Sequence, residues 1–345
     1  MSAARPPGFV RSATQWSELD PPGDTPWIGP HGRPMERLEL HLTYRCPERC
    51  VFCSEDHRMR DYAPYPVTWG RVATVLRMHA ARGVRAVHLT GGEPTIHPQF
   101  LDVLRLCKKL GLRTSVGTIG TMLCRPDFAA EALPLLDEAL FSIHGPDAET
   151  HDAVAGRAGS FERVMAAFRR ARDTKPGFGL FANTVLTAGT LGRLPETVAH
   201  LDAEGAQLIV ISNTSPEGAA WDAYDALAPR LEDLARVLPT VPARARRATL
   251  RFFGVPMCIL GPHALLSNDL FWDPRVTVEW QSAPGKVAFT GIYSWAPDRR
   301  RVHAPACAGC SRNRVCMGVY DAMLERGWSL DALRPDGDAQ GLSGG

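Results

Sequence analysis

Alternation of apolar and polar positions starts near residue 35. In "MERLELHLTY", Leu38, Leu40 and Leu42 fall on one side and Glu39 and His41 on the other, the period of a half-buried strand. The next stretch, "VTWGRVATVLRMHAARG", changes to helical spacing. Val72, Val75, Leu76 and His79 form a stripe, with Thr68 as N-cap and Gly83 as a stop. "RAVHLT" returns to the strand pattern, and the two periods keep alternating. Helices are predicted over 98–110, 127–135, 160–173 and 191–204, and strands over 112–118, 138–143, 178–186 and 207–212. Strands joined through helices predict a parallel sheet, here an α/β fold curled into a partial (β/α)6 TIM-like barrel.

After about residue 213 the pattern shifts to "SPEGAAWDAYDAL" and a helix, then to strand-like pieces at 249–254, 275–280 and 286–292. The expected organisation is a Pro-rich disordered or tethering arm over 1–34, the barrel over 35–244, a small α+β domain over 245–335 and a flexible tail over 336–345.

Barrels of this kind carry their chemistry at the C-terminal ends of the strands. The unusual residues fall there. Cys46, Cys50 and Cys53 follow the first strand, "TGGEPT" (90–95) the second, "GTIGT" (117–121) the third and "SIHG" (142–145) the fourth. All are predicted to face one mouth.

Composition narrows the chemistry. A chain of 345 residues with 45% hydrophobic residues can bury a full core, and a formal charge of +2 gives no electrostatic reason to expect nucleic acid. No apolar run reaches the length of a membrane span, and residues 1–35 lack the apolar centre of a signal peptide, so a cytoplasmic location is expected. In that reducing compartment nine cysteines point to metal or redox chemistry instead of disulfides.

A structural zinc site takes four ligands, usually from two pairs. Three cysteines at C-x3-C-x2-C can instead hold three irons of a cubane 4Fe–4S cluster, leaving the fourth open to substrate chemistry. "CPERCVFC", with Phe52 before the last cysteine, followed by "GGEP" after a strand, resembles the radical S-adenosylmethionine (SAM) superfamily. The resemblance spans about residues 36–215. It implies that Cys46, Cys50 and Cys53 hold the cluster and that SAM chelates the open iron. One electron then cleaves SAM to methionine and a 5′-deoxyadenosyl radical, which abstracts hydrogen from the substrate. It also implies that Gly91, Gly92, Glu93 and Pro94 line the methionine end, that Phe52 lies near the adenine, and that Ser142, Asn183 and Ser212 contact SAM. Thr118 belongs to the same set, although Ile119 stands where the family often has Asn. The reductant implied is a flavodoxin or ferredoxin type. His57, His88 and His144 are candidates for acid–base work, His144 foremost because it lies at the mouth; no other catalytic residue is assigned.

A second set, "CAGCSRNRVC" with Cys307, Cys310 and Cys316, together with Cys258, resembles the twitch or SPASM extension that holds auxiliary 4Fe–4S clusters. Four thiols suit one fully ligated cluster, and its implied role is to accept an electron from a substrate radical. The same four thiolates also suit a structural zinc. Cys107 lies in a helical pattern as a small hydrophobe, and Cys124 has no evident partner. Many relatives with such extensions modify ribosomal peptides, often with an N-terminal leader-binding domain for which the 1–34 arm is too short; a small-molecule substrate, or a peptide delivered separately, is therefore expected. The alternatives are a peptide-maturing enzyme, an enzyme similar to molybdopterin-precursor cyclase, a non-catalytic iron–sulfur electron carrier and a zinc-stapled binding protein.

Overall fold

The structure, a computed structural model, describes residues 13–17, 34–65, 67–283 and 286–336. The strands of its main sheet are β1 (Ala13–Ser17), β2 (Arg37–Thr43), β3 (Ala86–Gly91), β4 (Arg113–Thr118), β5 (Glu138–Ser142), β6 (Gly179–Leu186), β7 (Leu208–Asn213), β8 (Thr249–Phe253), β9 (Arg275–Ala283) and β10 (Lys286–Ser294). They form one ten-stranded sheet in the order β1-β10-β9-β2-β3-β4-β5-β6-β7-β8. From β9 through β8 every neighbouring pair is parallel; β10 and β1 continue the other edge antiparallel. Helices α1 (Asp56–Tyr62), α2 (Trp69–Ala81), α3 (Phe100–Lys109), α4 (Pro126–Ala132), α5 (Ala148–Ala155), α6 (Ser160–Arg172) and α7 (Leu194–Ala203) fall between β2 and β7. The fold is the expected α/β one, a partial TIM-like barrel.

Two expectations need correcting. The Pro-rich stretch read as a disordered arm contains β1, which pairs antiparallel with β10 (Ala13 opposite Tyr293, Ser17 opposite Thr290). A five-residue strand between proline clusters is too short to show a period, and what fixes it is the backbone edge of β10. The remainder of that stretch, residues 1–12 and 18–33, and the tail beyond Asp336 lie outside the described residues. The strands after residue 244, expected in a separate domain, extend the barrel sheet: β8 pairs with β7, and β9 returns to pair with β2. Local pattern gives the strands but not their partners, which are distant in sequence.

Alternation along the strands sorts the two faces. Leu38, Leu40, Val87, Leu89, Phe141, Ile209, Ile211 and Phe252 are buried in one core with Val72, Leu76, Val103, Phe168 and Leu201 from the helices. Each such side chain contributes about 1.5–3 kcal/mol. The concave face is polar. Glu39 meets Arg275 at 3.1 Å, and His88 Nδ1 lies 2.8 Å from Ser115 Oγ. Arg58 donates to the buried Glu279 at 2.7 Å, tying α1 to β9. No helix among the described residues is long and apolar enough to cross a membrane.

Candidate active site

The cysteine loop leaves β2 at the barrel mouth and is fixed from several sides. The Arg49 and Val51 amides donate to the Ala155 and Val154 carbonyls at the end of α5, at 3.1 and 3.0 Å. The Ala219 amide, beyond β7, donates to the Cys53 carbonyl at 2.9 Å, and the Arg49 guanidinium caps the Cys46 carbonyl at 2.8 Å. With the backbone so committed, all three thiols stay partly exposed. Glu48 is the residue this reading of the sequence missed. Buried inside the loop, it accepts a hydrogen bond from Ser160 Oγ, and its other oxygen lies 3.6 Å from Cys50 Sγ. Ser160 Oγ in turn lies 3.4 Å from His151 Nε2. A lone Glu within the motif offered no signal; the partner that buries it comes from α6.

"GGEP" braces this loop from beneath. A Cβ on Gly92 would meet the Arg45 carbonyl oxygen at 2.3 Å, and one on Gly91, where φ is +120°, would meet that of Thr43 at 2.3 Å. The Gly92 and Glu93 amides donate to those same carbonyls at 2.6 and 2.8 Å. The glycines thus allow backbone to pack on the chain that carries the cysteines. Glu93 is fully buried. It accepts from the Thr95 amide and hydroxyl, from Thr118 Oγ1 at 2.7 Å and from the Ile119 amide at 2.9 Å. Burial foremost raises its pKa, against those four donors. Glu93 and Thr118 therefore lock the end of β3 to the end of β4. Position 119 supplies its backbone N–H, which any residue but proline provides. Pro94 starts a short 3-10 turn, Pro94–Ile96.

Across the mouth, Ser142 of β5 stands in register with Asn183 of β6, whose Oδ1 accepts from Ser212 Oγ of β7 at 2.7 Å. The three form one half-buried polar row. Phe52 meets His144 edge-on, ring centroids 4.7 Å apart. His144 is buried; its Nδ1 accepts from the Val185 amide at 3.2 Å, and its ring stacks on His151. Burial, with His151 alongside, holds its pKa well below the usual imidazole range. The His144 ring thus packs, buried, against Phe52. His88 is buried, and His57 is exposed on α1.

On the far side of β8, Cys258, Cys307, Cys310 and Cys316 line one pocket together with His303. Cys316 Sγ receives the Met257 and Gly318 amides, each at 3.4 Å. Burial foremost raises the thiol pKa of Cys258, Cys307 and Cys316. Cys107 is buried in α3, and the Cys124 thiol bonds the Thr121 carbonyl. Among the described residues no three His, Cys, Asp or Glu side chains close around a point as a single metal ion requires.

Residues 40–209 match the family model described as the radical SAM superfamily. That stretch is a radical SAM domain. PqqA peptide cyclase of Rhodopseudomonas palustris is 31% identical over 218 residues, 63% of this chain and 56% of that protein. The Gluconobacter oxydans PqqA peptide cyclase is 28% identical over 219 residues, 63% of this chain and 60% of that one. The chain thus spans about half the length of the curated relatives it matches. Streptococcus suis SuiB, in its crystal structure with bound S-adenosylmethionine, shares the fold with a TM-score of 0.58 at 15% identity, over 88% of this chain and 77% of SuiB.

Radical SAM membership implies a 4Fe–4S cluster and SAM, and the thiols of the cysteine loop suit that cluster chemically. Burial foremost, then nearby carboxylates and the other thiols, push Cys46 up to about 12, Cys53 to about 11 and Cys50 higher still. As thiolates they need a compensating cation, so cluster loading must release protons. The same mouth holds the polar row on β5–β7 and the Phe52 ring.

Proposed function

We propose that this chain is a radical SAM enzyme acting on a peptide, with Cys46, Cys50 and Cys53 holding the SAM-binding cluster and the Cys258, Cys307, Cys310 and Cys316 pocket holding a second one. The observation that carries the reading is the cysteine loop itself, three partly buried thiols on a backbone clamped by α5, by the segment after β7 and by "GGEP". When bound and reduced, the cluster supplies the electron that cleaves SAM, and the resulting 5′-deoxyadenosyl radical takes a hydrogen atom from the substrate.

What the chain's own residues do follows from their placement. Glu93, Thr118 and the Ile119 amide keep β3 and β4 together under the loop, so the thiols hold their spacing. Ser142, Asn183 and Ser212 offer hydroxyl and amide groups to ribose and amino-acid atoms, and Phe52, steadied by His144, packs beside the base. The polar concave face binds and orients substrate below. A peptide is favoured over another small molecule because the sequence relatives are peptide cyclases. In the second pocket, amides on Cys316 Sγ suit a cluster thiolate, and such a cluster without an open iron would accept an electron from the substrate.

Anaerobic reconstitution tests both sites. About eight irons per chain are expected, against about four with one zinc if the second pocket holds a mononuclear ion. Reduced with dithionite or flavodoxin, the protein should release 5′-deoxyadenosine and methionine from SAM. Cys46→Ala, Cys50→Ala and Cys53→Ala should each abolish that release. Persistent cleavage in the triple variant would sink the assignment.

A further inference from the structure

Arginines on the concave side of the sheet come with carboxylates, with one exception. Arg37 of β2 meets Asp273 at 2.9 Å, Arg275 of β9 meets Glu39 at 3.1 Å, and Arg58 meets Glu279 of β9 at 2.7 Å. Arg251 of β8 has no carboxylate partner among the described residues. Its Nη1 donates to the Leu250 carbonyl at 2.8 Å, and the guanidinium carbon lies 3.7 Å from the centroid of the Phe271 ring. A guanidinium carries five N–H donors in a plane. Stacking on Phe271 holds that plane by its face and leaves the remaining edge donors available.

The side chain's direction follows from its strand. Leu250 and Phe252 are 4% and 0% exposed in the core, so alternation turns Arg251 and Phe253 to the concave side. Along the sheet, Arg251 shares a register row with Val210, Asn183 and Ser142. It therefore stands in the same layer as the polar row assigned to SAM, on the far strand of the barrel. Partial burial lowers its pKa from the ordinary arginine value, with no carboxylate to offset it. The fold fills every other such arginine's need internally and leaves this one open toward the lumen.

We propose that Arg251 is a substrate-recognition residue whose guanidinium edge receives a carboxylate of the peptide substrate, from an acidic side chain or from a chain terminus. A planar fork matched to a planar carboxylate selects for that group and orients it. The inference rests on the peptide-modifying reading above and narrows its substrate class.

The test uses the anaerobically reconstituted, SAM-loaded protein and three probes followed by ligand-observed NMR: N-acetylglutamate α-amide, N-acetylalanine and the neutral N-acetylglutamine α-amide. Wild type should bind at least one acid about tenfold more tightly than the neutral amide. Which acid wins distinguishes a side-chain source from a terminal one. Arg251→Gln should bring the acids to the level of the neutral amide, Arg251→Lys should retain part of the preference, and SAM affinity should stay within about twofold in both. Equal binding of acids and amide by wild type, including no binding of any, overturns the proposal. So does an acid preference that survives Arg251→Gln. Should SAM affinity fall together with acid binding, Arg251 holds SAM's own carboxylate and the substrate assignment is wrong. If Arg251→Gln does not fold, Arg251→Lys decides: an acid preference undiminished there overturns the proposal. Failure of wild type to cleave SAM would overturn the enzyme reading while leaving this binding comparison intact.

Discussion

The side chains of Arg301 and Asp269 are fully buried and meet through two hydrogen bonds, of 2.9 and 3.1 Å. Asp269 also accepts the Met317 amide at 2.9 Å, and Arg301 donates to the Gly318 carbonyl at 2.8 Å. Met317 and Gly318 directly follow Cys316, so the pair fastens that thiol's segment to the turn beside β8. Removing one partner strands a buried charge. Asp269→Asn is expected to cost about 3–5 kcal/mol in urea unfolding and to lower iron in the second pocket. Asp269→Leu combined with Arg301→Met should recover most of that stability, because it removes both charges. A double variant as unstable as the single one would mean that packing, not the charge, is what matters there.

Gly92→Val is expected to strip the barrel cluster as well as SAM affinity. The added side chain would strike the Arg45 and Tyr44 backbone, which belongs to the cysteine loop, so an effect confined to SAM is not what this geometry gives. Ultraviolet–visible absorption of the reconstituted variant checks it: normal cluster absorption with weakened SAM binding would place the glycine against SAM. Gly70→Ala is the control. Nothing lies within 4 Å of a Cβ there, at the start of α2, and it should stabilise by up to about 1 kcal/mol.

Cys310→Ala and Cys258→Ala should each lower iron by up to about four per chain and leave SAM cleavage intact, since the barrel's thiols belong to a different loop. Turnover of the true substrate should fail in both. Cys124→Ala should change neither, its thiol being engaged with the Thr121 carbonyl away from the pocket. Full iron and full turnover in Cys258→Ala would remove it from the ligand set.

Acid should loosen the junction of β2 and β9. Burial alone would raise the Glu39 carboxyl, but Arg275, with His88 and His41, outweighs it and holds the pKa at about 2. His88 is itself held down to about 4 by burial, so near neutrality Arg275 is the effective partner. A depressed carboxyl pKa contributes stability that is present above about pH 4.5 and lost as pH falls toward 2. With 22% of the side chain exposed, water screens the pair, and about 1–2 kcal/mol is expected in place of the about 3 that full burial would give. Urea midpoints of cluster-free protein at pH 7 and pH 4 should converge less in wild type than in Glu39→Gln, whose midpoint should lack this component. Identical pH slopes in the two proteins would remove Glu39 from the account.

Strands β2 to β7 were legible because each alternates locally and each is bounded by a helix with its own stripe. The cysteine loop and "GGEP" were legible from spacing. What the glycines touch was not, because Thr43 and Arg45 reach them only through the parallel pairing of β2 with β3. Glu48 and Arg251 escaped for a related reason. A single charged residue carries no period, and its meaning depends on whether the fold brings it a partner: Ser160 for the first, no carboxylate for the second. β1 escaped because its pairing is with β10, at the other end of the chain.

The pairing of β2 with β9 also sets an order of events during synthesis. The first strand of the barrel emerges from the ribosome early, whereas the strand that covers its outer edge is complete only at Ala283. At about 5–20 residues per second that edge waits on the order of tens of seconds for its neighbour. Meanwhile the nascent barrel presents an open row of backbone donors and acceptors able to pair with another chain. Soluble yield of this protein should therefore respond to translation speed, temperature and chaperone supply more strongly than the stability of the finished sheet would suggest.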